Sequence, residues 1–243
     1  MIQPHLRVEK VNKFCILVGD PGRVIRISEH LKNSKKVSDN RGLLVYEGSY
    51  EGIKITVVCA GMGGPSMAIV AEELINAGAK ILIRIGSGAG LKKEMRTGDT
   101  VISTGIYKEE AATTAYVPPN YPAIPDFEVL TALIESAKES KFTFYFGPTI
   151  CCDGLYSKKH WETMKYWSDY GLIGSEMEGS MLFTIALMRG VKAGMIFHVG
   201  INPNMKEHFK DVINQEKARL QGEEKNIIIA LNAIKKLNHG GEK

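Results

Sequence analysis

The sequence lacks any apolar run long enough to span a bilayer, and its first residues carry no leader-like pattern. A membrane partner is therefore not expected, and the cytoplasm is the expected compartment. Cysteine is scarce, with only Cys15, Cys59, Cys151 and Cys152. None has metal-ligand spacing, and the adjacent pair is one that rarely bridges, so reduced core thiols are expected. No run of His, Cys or carboxylates has ligand spacing, so no metal is expected. Charge of one sign is missing as well: 31 Lys and Arg against 27 Asp and Glu leave a net +4. The cations are scattered among acids without a basic stripe, which argues against nucleic acid as a partner. Low-complexity tracts, internal repeats and domain-splitting linkers are absent. What remains is a chain of 243 residues, 44% hydrophobic, enough for one core and one domain over 1–243.

Strand and helix patterns alternate along it. An apolar strand at 14–18 runs into Gly19-Asp-Pro-Gly-Arg23 and a helical pattern over 24–31. A hairpin with a tight glycine turn follows, from residues 41–48 and 53–58. Gly61-Met-Gly-Gly-Pro-Ser66 opens a helix over 67–76 that closes at Gly78. Further strands are expected at 99–103, 142–146, from 149 and over 193–199, with helices at 126–140, 161–170, 181–188 and from about 211 to 237. The proline-rich stretch 107–125 is too irregular for a simple connector and suggests a functional flap. The alternation predicts an α/β fold with a central mixed sheet flanked by helices.

The chain is organised around residues 81–90, an apolar run that carries Arg84 and then breaks into a loop of alternating glycines. A guanidinium is almost never buried without a partner. Either an anionic ligand meets Arg84, helped by Gly86, Gly88, Gly90 and the Ser87 hydroxyl, or an internal Arg–Glu pair does. Gly19 and Arg23 stand at a second strand–turn–helix junction, where an anion is favoured. Glu176 and Glu178 flank Met177 at the mouth of an apolar helix, which suits a ligand site or simple helix capping. His30, His208 and His239 read as surface residues. His198, in an apolar strand, reads as a satisfied core histidine or part of a pocket.

Five motifs now stand in order: Gly19-Asp-Pro-Gly-Arg23, Asn40-Arg-Gly42, Gly61-Met-Gly-Gly-Pro-Ser66, Arg84-Ile-Gly-Ser-Gly88 and Glu176-Met-Glu178. Together they resemble the nucleoside phosphorylase family that contains bacterial-type purine nucleoside phosphorylase and uridine phosphorylase. The resemblance covers nearly the whole chain. It implies the family's three-layer fold and phosphorolysis of a nucleoside N-glycosidic bond, giving free base and ribose or deoxyribose 1-phosphate. It implies no cofactor, with inorganic phosphate as co-substrate. Phosphate would be held by Gly19, Arg23, Arg84 and Ser87, and by Arg41 from a neighbouring subunit. The ribose would be held by Glu178, Met177 and Met62, with His5 reaching across a dimer. Leu155, Tyr156, Glu176 and Asn202 would meet the base, and Arg84 and Glu178 would carry catalysis. A homo-oligomer follows, at least a dimer, with the family's ring of six as the expected form.

The base end departs from the family. Purine-cleaving members carry an aspartate after the last core strand, which protonates N7. This chain has His198-Val-Gly-Ile-Asn-Pro-Asn204 there, without a carboxylate. A pyrimidine has no N7, so the sequence favours uridine, with a purine nucleoside as the alternative. Yet the Gln and Arg with which uridine phosphorylases read uracil are missing from Leu155-Tyr-Ser-Lys-Lys-His160, where Lys158, Lys159 or His160 would have to substitute. A catalytically inactive nucleoside-binding protein is the third reading. The intact arginine set argues against it, and against hydrolytic relatives that cleave methylthioadenosine.

Overall fold

The computed structural model describes residues 1–205 and 214–239. The first half runs β1 (Phe14–Val18), α1 (Pro21–Glu29), β2 (Lys32–Asn40), β3 (Leu43–Tyr50), β4 (Ile53–Cys59) and α2 (Gly64–Asn76). The second half runs β5 (Ile81–Gly90), β6 (Thr100–Lys108), α3 (Phe127–Ser140), β7 (Phe144–Cys151), α4 (His160–Asp169), β8 (Gly174–Glu176), α5 (Gly179–Arg189), β9 (Lys192–Ile201) and α6 (Glu216–His239). The nine strands form one mixed sheet in the order β2-β3-β4-β1-β5-β8-β7-β6-β9. Because β9 also pairs with β5 in parallel, strands β5, β8, β7, β6 and β9 close on themselves as a barrel. The predicted α/β class and mixed central sheet stand, and the closure adds to them.

Burial on both faces explains the unbroken apolar strands. In β1, Cys15 and Leu17 join the layer that holds α2 and α5. Phe14, Ile16 and Val18 join the opposite layer with α1, α3 and α6. All four cysteines are free and buried. Asp20 caps α1, its carboxylate accepting from Gly22 N at 3.0 Å and Arg23 N at 3.1 Å, with Pro21 in the first turn. The Gly-Asp-Pro-Gly motif is therefore the helix start itself, earlier than residue 24.

Several expectations change. β2 was not predicted, because Lys32–Asn40 is a polar, solvent-facing edge strand without alternation. It joins β3 through the two-residue turn Arg41-Gly42, with φ of +56° and +78°, and β3 joins β4 through Glu51-Gly52, with +47° and +85°. Both have the primed-turn signature that suits strand twist. Residues 86–90 are not a loop but the end of β5. The strands expected at 142–146 and from 149 are one strand, β7, which carries Pro148 past a register shift in its partner. The stretch 107–125, expected as a functional flap, is anchored to α5. Buried Glu110 pins it, accepting from Thr113 N at 2.9 Å, Thr113 Oγ1 at 2.6 Å and Ser180 Oγ at 3.1 Å. Residues 206–213, which include His208 and the expected start of the last helix, lie outside the described residues.

Closure of the barrel depends on Gly88. A Cβ there would lie 2.3 Å from the Ser175 carbonyl oxygen on β8 and 2.9 Å from the Phe197 ring on β9. Gly88→Ala is expected to cost about 1–3 kcal/mol, the range of an overpacked site, measured as a lowered denaturant midpoint at unchanged m-value.

Candidate active site

Arg84 lies on the same face of β5 as Leu82, toward α2 and α5, and only 3% of it is exposed. Room for its guanidinium comes from Gly86, where a Cβ would sit 3.3 Å from Arg84 Cζ. Glu178, the residue before α5, takes a charge-assisted bond from Arg84 Nη2 and accepts from Gly63 N at 2.7 Å. Glu176 Oε2 stands 3.7 Å from Arg84 Nε and accepts from Glu178 N at 2.8 Å and Gly179 N at 2.7 Å. Capping thus belongs to Glu176, while Glu178 is aimed at the arginine.

The internal Arg–Glu pair weighed from the sequence exists, but it does not exhaust the arginine. Nε and Nη1 of Arg84 and Oε1 of Glu176 are buried without a hydrogen-bond partner. Leaving such groups unmet costs about 1–3 kcal/mol each, so the geometry suits a ligand with acceptors for the one and a donor for the other. Burial acts to lower the Arg84 pKa, but Glu178 and Glu176 outweigh it and hold it above its ordinary value. Burial raises Glu176, and the Glu178 charge adds to that, against the pull of Arg84, bringing its pKa to about 7.

These groups line one cavity of about 280 Å³ at the carboxyl ends of the parallel strands β1 and β5. Gly19, Arg23, Arg84 and Ser87 stand along it with Met62, Met177 and Glu178, and Leu155 and Glu176 complete the predicted members. Arg23 is buried, its Nε donating to Glu223 Oε2 at 2.7 Å and its Nη1 to the Ile85 carbonyl at 2.9 Å. Burial lowers its pKa, Glu223 opposes that, and nearby Arg84 adds to the lowering. Arginine stays charged regardless.

Four expected residues stand elsewhere. Arg41 is exposed at the tip of the β2–β3 turn. His5 Nδ1 lies 2.6 Å from Glu73 Oε1, and its carbonyl accepts from Asn40 Nδ2 at 2.7 Å, so the N-terminal segment is tied beside the Arg41 turn. Tyr156 is 83% exposed and does not line the cavity. Asn202, expected at the base, does not line the cavity; its amide donates to the Lys92 carbonyl at 2.8 Å and the Met95 carbonyl at 3.0 Å, bracing the loop after β5. His198 is a core residue, but not a satisfied one, since neither ring nitrogen has a hydrogen-bond partner. Burial, then Arg23, Arg219 and Arg26, keep its pKa well below the usual histidine range. Of the residues weighed in the 155–160 loop, His160 lines the cavity and Lys158 and Lys159 do not.

Sequence reasoning missed Asp20, Cys152, Trp161, Ser175, Ile201 and Arg219, all of which line the cavity. It also missed Glu223 behind Arg23. Arg219 and Glu223 sit four residues apart in an amphipathic helix, a spacing that reads as an ordinary solvated pair. Only their shared helical face was available as a signal. Among the described residues no group of three or more His, Cys, Asp or Glu is arranged to hold a metal ion.

The Glu176 shift has a thermodynamic sign. A carboxyl whose pKa rises from 4.5 to about 7 on folding binds more protons in the native state between those values, so stability falls as pH climbs through that window. Glu176→Gln is expected to flatten the fall in Tm across it, seen by melting both proteins at intervals over that range.

Residues 13–230 match the family described as the Phosphorylase superfamily. The chain is 37% identical over 237 residues to guanosine phosphorylase of Halorubrum lacusprofundi, covering 96% of this chain and 98% of that one. It is 31% identical over 242 residues to uridine phosphorylase of Treponema pallidum, covering 96% and 92%. Among solved structures, uridine phosphorylase of Vibrio fischeri superposes with a TM-score of 0.90 at 31% identity, covering 96% and 97%. Purine nucleoside phosphorylase of Toxoplasma gondii superposes at 0.87 with 25% identity, covering 98% and 97%. With the ordered motifs, the barrel-closed sheet and a buried arginine set against Glu178, these likenesses make the chain a member of the phosphorylase superfamily, in its nucleoside phosphorylase family.

Proposed function

We propose that this protein cleaves uridine by phosphorolysis, releasing uracil and ribose 1-phosphate. The observation that carries the reading is Arg84, buried on β5 with Nε and Nη1 unmet, which lines one cavity with Arg23, Ser87 and Glu178. A phosphate there meets guanidinium donors and the Ser87 hydroxyl in a setting that excludes water, where such bonds are strongest. Its oxygen attacks C1′ as the glycosidic bond breaks, and the bonding electrons leave on the base nitrogen. No protein nucleophile is required. Glu178 keeps lone pairs for the ribose hydroxyls while bonded to Arg84 and Gly63 N. Its negative charge also stabilises the oxocarbenium-like sugar, with Met62 and Met177 against the ring.

A pyrimidine suits the base end because the stretch His198–Asn204 holds no carboxylate where purine-cleaving members carry their aspartate. The wall there is Leu155, His160 and Trp161. One observation favours a second reading, a purine nucleoside. Glu176 Oε1 is unpartnered in the cavity and its pKa of about 7 leaves it partly protonated at neutral pH, so it is able to donate to a purine. The 37% identity to a guanosine phosphorylase supports the same alternative.

The reading also takes Arg41 and His5 as contributions to a neighbour's site in a homo-oligomer, a dimer at least and by resemblance a hexamer. Arg41 is exposed and His5 half-buried, the two linked through Asn40, which supports this. Four free buried cysteines fit a reducing compartment, and we assign the cytoplasm. No helix among the described residues is long and apolar enough to cross a membrane.

Base release from uridine, thymidine, inosine, guanosine and adenosine, each with and without phosphate, tests the proposal. Phosphate-dependent cleavage of uridine alone is expected. Cleavage of guanosine or inosine instead would transfer the assignment to the purine reading, and no turnover of any would leave a nucleoside-binding protein. Arg41→Ala is expected to raise the phosphate KM by about tenfold or more at unchanged Tm, and normal phosphate use in that variant would reject a shared site.

A further inference from the structure

Behind the cavity lies a carboxylate with no part in the reaction as drawn. Glu223 is 4% exposed, sits on α6, and meets α1 across a sequence separation of 200 residues. Both its oxygens are engaged: Oε2 accepts from Arg23 Nε at 2.7 Å, and Oε1 accepts from Arg26 Nε. Arg26 Nη2 in turn donates to Asp20 Oδ2 at 2.9 Å, and Asp20 caps the helix on which both arginines lie. The chain Asp20–Arg26–Glu223–Arg23 therefore locks the last helix to the first.

We propose that Glu223 is a positioning residue for phosphate. It acts through Arg23, which it holds with one edge of the guanidinium turned toward the cavity. Nε is fixed by Glu223 and Nη1 by the Ile85 carbonyl on the far side, which leaves Nη2 for the cavity that Arg23 lines. Two bonds in different directions leave the planar group no freedom to rotate. The acid is needed because Arg23 is buried close to Arg84. Two like charges facing one cavity repel when it is empty, and without an anchor Arg23 would turn away toward Asp20 or solvent. Arg219, one helical turn before Glu223, lines the same cavity. The docking of α6 thus places a cation at the site and fixes a second one there.

Two effects of removing the carboxylate oppose each other. Losing a negative charge near the site strengthens the pull on a phosphate, while releasing Arg23 weakens its grip. Geometry decides, since the Glu223 charge is already met by two arginines at bonding distance and little of it reaches the cavity. Glutamine makes the point sharply. Its oxygen satisfies one arginine, but its NH2 is turned against the other, a donor facing donors.

The inference rests on the phosphorolysis reading, and the test separates the two. Inorganic phosphate is titrated calorimetrically into wild-type protein, Glu223→Gln, Arg23→Ala and the double variant, and KM for phosphate and for nucleoside is measured on each. Glu223→Gln is expected to weaken phosphate binding about tenfold, to raise the phosphate KM alike, and to leave the nucleoside KM within about twofold. In the Arg23→Ala background the same substitution is expected to add almost nothing, because the carboxylate acts through that side chain. A fall in kcat with Tm and unchanged phosphate affinity, tighter phosphate binding, or additive losses would each overturn it. Should Glu223→Gln not fold, Glu223→Asp, too short to reach both arginines at once, is titrated instead, and full phosphate affinity there overturns the inference. Wild-type protein that neither binds phosphate nor releases a base overturns both readings. Wild-type protein that does both, beside a variant that matches it, overturns this one alone.

Discussion

A cation buried in the middle of a sheet is the constraint on which the rest of the structure turns. Arg84 cannot sit on β5 without compensating charge, and that charge comes from the chain leaving β8 for α5. Glu178 answers Arg84 and the Gly63 backbone together, so one carboxylate ties β5, α5 and the loop before α2 into a single cluster. Glu176 satisfies the amide groups that α5 leaves open, which frees Glu178 from capping. The compensation is deliberately incomplete in its geometry: the acids neutralise the charge but leave donors of Arg84 unbonded. A site that bound its own arginine fully would have nothing left for an anion.

The second constraint is closeness of backbone. Strands β5 and β8 meet over only Ala89–Ser175 and Gly90–Gly174, and this short contact helps close the barrel. It is possible because Gly88 and Gly174 leave space for Phe197 and for carbonyls of the neighbouring strand. Those glycines therefore serve the sheet, and the ligand-facing openness of the cavity is its consequence. Gly98 and Gly222 do the same for α6: a Cβ on Gly222 would lie 2.6 Å from the Gly98 Cα. That approach brings Glu223 and Arg219 to the cavity from the far end of the chain.

How much of this was legible varies by element. β1 and the start of β5 were plain from unbroken apolar runs, and α3 from its apolar spacing. β2 was invisible, because a polar edge strand carries no burial pattern and pairs within the sheet with β3 alone. Met62, Glu178, Arg23 and Ser87 were found through short motifs whose residues are neighbours in the cavity as well as in the chain. The placing of Asn202 was not legible, because an amide's position along the sequence says nothing about where its hydrogen bonds go, and the Lys92 and Met95 carbonyls accept from it.

By itself, the sequence determined the α/β alternation, the buried strands and the family, since each is written in local pattern or in a short motif. Tertiary structure alone decided the closure of the barrel, the division of labour between Glu176 and Glu178, and the arrival of Glu223 behind Arg23. The reason is physical: those outcomes depend on which groups meet across 94 to 200 residues of chain. A buried charge is answered by whichever carboxylate the packing brings near, whatever its distance along the sequence.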